Sequence, residues 1–273
     1  HRVRGIKEAL QILDRENPEK SRRLRKDSVA VMITCEHDIK QIHQDFADCS
    51  KTKALPPSLL SVFDMRNPAN RILSDIVEGC SLFRGKIDST SKTLSKKSAC
   101  IFLANQVRQM IKHMLMRGNP VDVDFEKRAK ELLGEKNSYD KFLKRYVTYI
   151  NQISSVIPVL KEVSSMEADS PKRAQIPKMR EDGWVCLTAT GLNVLGSFGY
   201  DLFTHDLPDW EKYVEALAEE DWSRSGPLWQ GTIVQNGKLM TQAAPTRAAV
   251  DKIELAVGLE AFVEERQKKR NAE

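Results

Sequence analysis

The sequence has few cysteines, and none lies in a pattern that binds zinc or frames a disulfide network. Its 273 residues contain five cysteines and five histidines, which are widely scattered and include no Cys-x-x-Cys pair. An odd, dispersed set of cysteines is typical of reduced thiols in a cytosolic protein. We therefore predict no metal site and a cytoplasmic location.

Long apolar runs are also missing. No stretch approaches the roughly 20 apolar residues that cross a bilayer, and no secretory signal is visible. This pattern predicts a protein without a membrane partner. The chain carries 43 Lys and Arg against 38 Asp and Glu, a net charge of +5. A basic balance of this size permits a nucleic-acid partner without requiring one.

No catalytic constellation follows from the residue spacing. Thr188–Gly191 lacks the preceding strand and the lysine of a phosphate-binding loop, and instead indicates a helix start with Thr188 as its cap. No nucleophile–base pair or paired carboxylate can be argued from the sequence, because sequence alone does not place distant partners together. We therefore assign no catalytic residue.

Hydrophobic periodicity predicts a mainly α protein, a helical bundle with a small α/β part at its start. The best strand is the β-branched run Ser28–Ile33, and Asn236-Gly237 predicts a hairpin turn. A seam with steps of three and four runs from Tyr139 to Val163. It indicates a core helix kinked at Pro158, with a dimer zipper as the alternative. The other predicted helices are Val3–Leu13, Ile39–Phe46, Pro68–Gly79, Ala99–Met116, Phe125–Leu133, Thr188–Phe203, Trp210–Asp221 and Thr246–Leu259.

Composition divides the chain into four parts. Residues 1–90 hold the α/β part, residues 91–166 a helical middle region, and residues 182–273 a helical C-terminal lobe. Between them, residues 167–181 contain two prolines and many charges, which predicts a linker or surface loop. The charged tail from Arg266 onward is expected to fray.

Three clusters of positive charge are candidates for contacts with a DNA backbone, because cations release counterions when they bind phosphates. The densest lies in a predicted loop after the first helix and contains Arg22, Arg23, Arg25 and Lys26. The second is interleaved with hydroxyl side chains and contains Arg84, Lys86, Lys92, Lys96 and Lys97. The third falls in the predicted linker and contains Lys172, Arg173, Lys178 and Arg180. A solvated surface is the alternative for each cluster, and helix capping is the alternative for Ser95 and Ser98.

Two tryptophans, Trp222 and Trp229, end the predicted acidic helix. Base stacking is one possible role for them. The many acids that precede them would repel a phosphate backbone, so we predict that both are core anchors of the C-terminal lobe.

The chain begins with His1-Arg2 at the mouth of a helix and without an initiator Met. A helix N-terminus offers free N–H groups and the positive end of its dipole, and arginine adds a fork of donors. His1, Arg2 and Arg4 therefore suggest an anion site, with ordinary exposed surface as the alternative. Asp48 either orients Arg2 through an ion pair or faces solvent.

Several segments, taken in order, resemble the DndB family of DNA sulfur modification proteins and its DGQHR domain. The segments are His1–Ile6, Asp45–Asp48, Leu82–Lys86, Leu94–Ser98, Asp221–Arg224, Trp229–Gly231, Gly237–Met240 and Gly258-Leu259. The Asp-Gly-Gln half of the motif and the strands before it are absent, so the resemblance implies that residues 1–90 are the remainder of an N-terminally truncated DGQHR domain. Ser50 stands where the family usually has Asn, which leaves Ser50 without an assigned role.

The resemblance implies a nucleotide site. DGQHR domains are similar to the ParB and sulfiredoxin-like fold, in which the matching segment binds nucleotide phosphate. It follows that His1, Arg2, Arg4 and Asp48 would contact a nucleoside triphosphate in the intact protein. No other cofactor is implied.

The resemblance also implies a function. The DndB family is associated with transcriptional control of the modification genes, through promoter DNA, and with how densely sulfur is placed in DNA. We therefore expect a DNA-binding regulatory protein, and we leave open whether it is also an enzyme that hydrolyses a nucleoside triphosphate through the DGQHR motif. The alternatives are a switch that binds or hydrolyses a nucleotide and a scaffold that docks the sulfur-transfer enzymes. DNA and those enzymes are the expected partners, and an oligomer is left open.

Overall fold

The computed structural model describes residues 2–27, 35–49, 64, 66–117 and 121–272, and the side chains of residues 2–5, 47, 49 and 269–272 lie outside that description. Within these residues the chain forms thirteen α-helices and two sheets of two strands each. The prediction of a mainly helical protein with a small α/β part is confirmed.

The helices are α1 (Arg2–Glu16), α2 (Pro18–Leu24), α3 (Ile39–Cys49), α4 (Pro68–Gly79), α5 (Ala104–Leu115), α6 (Asp122–Gly134), α7 (Lys136–Val156), α8 (Pro158–Ser164), α9 (Ile176–Glu181), α10 (Ala189–Thr204), α11 (Glu211–Glu215), α12 (Ala243–Ala256) and α13 (Glu260–Ala272). The strands are β1 (Ile87–Asp88), β2 (Phe102–Leu103), β3 (Val234–Gln235) and β4 (Lys238–Leu239).

The contacts divide the chain into two units, residues 1–39 and residues 40–273. In the first unit, Pro18 ends α1 and takes the first position of α2, where its missing N–H costs nothing. The Asn17 side chain caps α2 by accepting a hydrogen bond from the Lys20 amide at 3.0 Å. The prediction of a loop over residues 20–26 is therefore wrong, because helix α2 extends to Leu24. The predicted strand Ser28–Ile33 lies outside the described residues.

Helices α5 and α10 pack together at the centre of the second unit. The Thr188 hydroxyl caps α10, as predicted, by accepting a hydrogen bond from the Gly191 amide at 3.0 Å. A methyl group at Gly196 would lie 2.6 Å from the Met110 carbonyl oxygen, and one at Gly199 would lie 2.6 Å from the Tyr149 ring. Two positions without side chains therefore allow α5 and α7 to approach α10 closely.

The small parallel sheet explains why one helix starts later than predicted. Ile87 pairs with Phe102, and Asp88 pairs with Leu103. Residues 102–103 are thus extended, and α5 begins at Ala104 instead of Ala99.

The seam from Tyr139 to Val163 faces the interior of the chain. Tyr149 is fully buried, and its hydroxyl donates to the Leu195 carbonyl at 2.6 Å. The Tyr146 ring meets Phe203 edge to face, with centroids 4.9 Å apart. Helix α7 ends at Val156, and Pro158 starts α8. The prediction that this seam packs in the core is confirmed, but the chain breaks into two helices before Pro158 where the sequence predicts a single kinked helix.

The C-terminal lobe contains the predicted hairpin and the predicted aromatic anchors. Asn236 and Gly237 both have positive φ, 50° and 72°, as a two-residue turn between β3 and β4 requires. Trp222 and Trp229 are 2% and 0% exposed, with ring centroids 4.9 Å apart. Their prediction as core anchors is confirmed.

The C-terminal tail is helical, and the expectation that it frays from Arg266 is wrong. In α13, Arg266 pairs with Asp251 at 2.7 Å, with Glu254, and with Asp201 at 3.7 Å. Glu254 and Asp201 are only 0% and 1% exposed. Burial raises the pKa of the Asp201 carboxyl, an effect that Arg117 and then Arg266 oppose. A charged tail residue thus compensates buried carboxylates, which the composition of the tail does not reveal.

Candidate nucleic-acid interface

A loop of residues 89–100 connects β1 to β2, and its own polar groups hold its turns. The Asp88 carboxylate accepts hydrogen bonds from the Thr90 and Ser91 amides at 2.9 and 3.0 Å. The Ser95 hydroxyl accepts from the Lys97 amide at 3.3 Å, and the Ser98 hydroxyl from the Cys100 amide at 3.1 Å. These hydroxyls therefore stabilise the loop itself and do not cap α5, which begins further along the chain.

Arg180 holds this loop from the other side. Its guanidinium donates to the carbonyls of Ser95, Lys96 and Ser98, at 2.8, 3.2 and 3.0 Å. Burial lowers the pKa of Arg180, yet a guanidinium stays charged in proteins. The acceptors are neutral carbonyls, so the positive charge at this position is not cancelled.

The segment 167–181, which the sequence suggests is a linker or surface loop, is helical from Pro171 onward and buries part of its length. A 3-10 turn over Pro171–Gln175 leads directly into α9, whose Ile176 and Met179 are buried. Arg173 donates to the Ala99 carbonyl at 3.2 Å and to the Ala168 carbonyl. The second and third basic clusters of the sequence are therefore neighbours in the structure.

We name the exposed lysines of these two adjoining segments the basic face. They are Lys92, Lys96, Lys97, Lys172 and Lys178. None of them has an ion-pair partner among the residues that the structure describes. A cavity of about 290 Å³ opens between the loop and α9, with Lys96, Arg180 and Glu181 on its walls. The basic face thus combines exposed cations with a concave surface, an arrangement that suits contact with phosphates.

Lys86, a predicted DNA contact, does not belong to this face. It is 2% exposed, and its Nζ donates to the Met166 carbonyl at 2.5 Å. Burial, together with the nearby charges of Arg173 and Arg84, lowers the pKa of the Lys86 amine. Because a phosphate at the surface cannot reach this amine, its assignment as a contact is corrected to a structural role.

Arg84, from the same predicted cluster, is exposed but turned toward the chain. Its Nε donates to the Glu78 carbonyl at 2.7 Å, and its Nη2 donates to the same oxygen. Arg84 therefore caps the end of α4 instead of extending freely into solvent, and we treat it as a peripheral member of the interface.

The first unit carries its own cations on and just after α2. Arg22, Arg23 and Lys26 are exposed, whereas Arg25 pairs with Asp14 at 2.7 Å. The Ser21 hydroxyl donates to Asp14 at 2.6 Å. This bond, followed by the Arg25 contact, lowers the pKa of the Asp14 carboxyl. Three of the four predicted contacts in this cluster thus present their charge to solvent.

Of the four predicted nucleotide contacts, only the Asp48 side chain lies within the described residues. His1 and the side chains of Arg2 and Arg4 lie outside the described residues, and the backbone of residues 2–5 is helical. The Asp48 carboxylate forms an ion pair with Arg66. Arg66 does not stand out in the sequence, since a partner 18 positions away leaves no signal in residue spacing.

The described residues contain neither a membrane-spanning helix nor a metal-binding cluster. No helix in that part of the chain has the length and apolar character needed to cross a membrane. The same residues contain no group of three or more His, Cys, Asp or Glu side chains placed to hold a metal ion.

Two features define the class of protein: a helical architecture and, within the described residues, a face of exposed lysines without ion-pair partners. The chain matches the DndB family model, described as DNA-sulfur modification-associated, over residues 1–260, and it belongs to that family. Its role therefore lies in a DNA sulfur modification system. None of the curated proteins and none of the solved structures compared with this chain matches it.

Proposed function

We propose that this protein is a DNA-binding regulator of a DNA sulfur modification system. It binds the promoter of the modification genes, and by controlling their transcription it sets how densely sulfur is placed in DNA. The observation that carries this proposal is the basic face, five exposed lysines without ion-pair partners in the described part of the chain.

The way the loop is held supports phosphate binding. Arg180 and Arg173 organise residues 89–100 through neutral carbonyls, so their charges add to the potential around the lysines instead of being cancelled by carboxylates. A cationic surface of this kind attracts phosphates without reading bases. Sequence preference would then come from groups beyond the basic face.

The experiment is fluorescence anisotropy with a duplex from the promoter of the modification genes, measured from low to high salt. A variant with Lys96, Lys97 and Lys178 changed to Ala is compared with a control in which Lys127, Lys130 and Lys144 are changed to Ala. The two variants are matched, because each loses three positive charges and all six lysines are exposed. We expect the first variant to weaken binding on every sequence and to reduce the salt slope by roughly 1 per lysine.

Two results would count against the proposal. If both variants bind DNA as the unaltered protein does, the basic face is a solvated surface. If the full protein binds the promoter no more tightly than a scrambled duplex of equal length, regulation at that promoter is excluded, and only general DNA binding remains. A separate variant of Arg22, Arg23 and Lys26 measures the contribution of the first unit.

A further inference from the structure

A second cavity, of about 360 Å³, lies on the second unit where α8, α9 and the segment before Trp222 meet. We name it the acidic groove. Its walls include Val159, Met179, Trp184 and Trp222. Val159 and Met179 are each 8% exposed, so the floor of the groove is apolar. Trp184 is only half-buried, which leaves part of its indole available to an occupant.

The walls of the acidic groove are fixed by hydrogen bonds. The Val185 amide donates to the Trp222 carbonyl at 2.8 Å, and the Trp222 indole donates to the Leu217 carbonyl at 3.0 Å. By contrast, the Trp184 indole N–H has no acceptor among the described residues. A preformed cavity loses little conformational freedom when it is filled, and this favours binding.

Four carboxylates surround the groove, those of Glu162, Asp182, Glu220 and Asp221. Within the described part of the chain, no lysine or arginine pairs with any of them. Among the described residues, one hydrogen bond reaches these carboxylates, and its donor is neutral: the Ser223 amide donates to Asp221 at 2.8 Å. The lining contains no cation, although the protein as a whole carries a net charge of +5.

We propose that the acidic groove is the docking site for a basic segment of a partner protein, one in which Lys or Arg alternates with apolar residues. The apolar side chains would fill the floor, and the cations would lie between the carboxylates and over the indole of Trp184. Charge complementarity excludes a nucleic acid from this position. The inference does not depend on DNA binding, since the groove and the basic face use different residues.

The test uses the full chain and a synthetic peptide of alternating lysine and leucine with a fluorescent label, followed by anisotropy. A peptide with glutamine in place of lysine and one with serine in place of leucine serve as matched controls. We expect the lysine–leucine peptide to bind more tightly than both. Changing Glu162→Gln, Asp182→Asn and Glu220→Gln together should weaken it about tenfold, as three exposed pairs would.

A control variant changes Asp140→Asn, Glu167→Gln and Asp169→Asn, three exposed carboxylates outside the groove. It should bind the peptide within about twofold of the unaltered protein, since exposed charges at a distance are screened. Equal weakening by the two variants would overturn the proposal, because binding would then follow net charge. A second readout is tryptophan fluorescence, whose change on peptide binding should disappear in Trp184→Phe; an undiminished change would also overturn it.

Self-association and DNA binding are measured on the same samples. If the groove variant converts a dimer into a monomer in sedimentation, the occupant is a second copy of this chain and the partner proposal fails. Promoter affinity should not fall in the groove variant, because no cation is removed. The docking proposal and the DNA-binding proposal can therefore fail independently.

Discussion

Arginines organise two regions of the second unit in opposite ways. At the basic face, Arg180 donates to three backbone carbonyls and Arg173 to two. At the C-terminal helix, Arg266 instead pairs with the carboxylates of Asp251 and Glu254. Carbonyl acceptors leave the arginine charge in place, whereas carboxylates cancel it.

The type of acceptor determines whether the arginine serves packing or the charge of the surface. Around Arg266 charges are neutralised, and the interaction joins α13 to α12 and α10. Around Arg180 the charge persists, and the loop it holds presents lysines to solvent. Two residues of the same type thus serve packing in one region and the surface potential in the other, and the acceptors decide which.

The largest expected effect is a loss of stability when the ion pairs of Arg266 are removed. Arg266→Met would leave the buried carboxylate of Glu254 without its arginine partner and Asp201 with Arg117 alone, and we expect a loss of about 3–5 kcal/mol in the free energy of unfolding. Urea denaturation measures it. Lys268→Met in the same helix is the matched control, since its pair with Glu264 is long, at 4.0 Å, and exposed. Equal losses in the two variants would show that the buried position of Arg266 carries no special weight.

The next largest expected effect is a pH-dependent loss of stability, and it comes from a buried pair of neutral side chains. His113 and Ser197 lie 3.1 Å apart and join α5 to α10. Burial, and next the charge of Lys112, lowers the pKa of His113 from 6.5 to about 4. The folded state therefore binds fewer protons than the unfolded state between these values. The stability that this difference in His113 protonation provides is fully present above pH 6.5 and is lost as the pH falls toward 4.

We expect this loss to reach about 3 kcal/mol, measured as the unfolding free energy in urea at pH 7 and near the lower end of that window. His113→Gln keeps a hydrogen-bonding group and should remove this part of the pH dependence. His37→Gln is the control, because His37 is exposed. If His113→Gln retains the full pH dependence, the carboxylates of the protein account for it instead.

The smallest expected effect is a local opening of the loop that Arg180 holds. Arg180→Ala would release the carbonyls of Ser95, Lys96 and Ser98, and the loop would open locally without unfolding the protein. We expect trypsin to cleave after Lys96 or Lys97 about tenfold faster, corresponding to roughly 1.4 kcal/mol of local stability. Arg128→Ala removes an exposed arginine that pairs with Glu131 and should leave cleavage unchanged. Cleavage at the same rate in both variants would mean that Arg180 does not hold the loop.

The sequence predicts the helices whose ends carry local signals. Asn67 and Pro68 mark the start of α4, and Thr188 marks the start of α10, because caps act on amides two or three residues away. It does not predict α2, since a proline that ends one helix can equally begin the next. The strands β1 and β2 are only two residues long each, and too short for any alternation to show.

The sequence predicts only part of the candidate site, because it reveals charged residues but not the backbone groups to which they bond. Exposed lysines such as Lys96 and Lys97 stand out as charge in the sequence, and they are exposed in the structure. The burial of Lys86 does not stand out, because its acceptor is the carbonyl of Met166, 80 positions away. Backbone acceptors have no residue signature, so arginine and lysine roles that depend on them emerge only from the fold.

The glycines of α10 bear on the order in which the protein folds. This 16-residue helix contains three glycines, Gly191, Gly196 and Gly199, and each lowers helix propensity by about 1 kcal/mol relative to alanine. The same absent side chains admit the Met110 carbonyl and the Tyr149 ring. We therefore expect residues 189–204 to be largely unstructured as an isolated peptide. We expect α10 to become helical late in the whole chain, after α5 and α7 have formed the surfaces against which it packs.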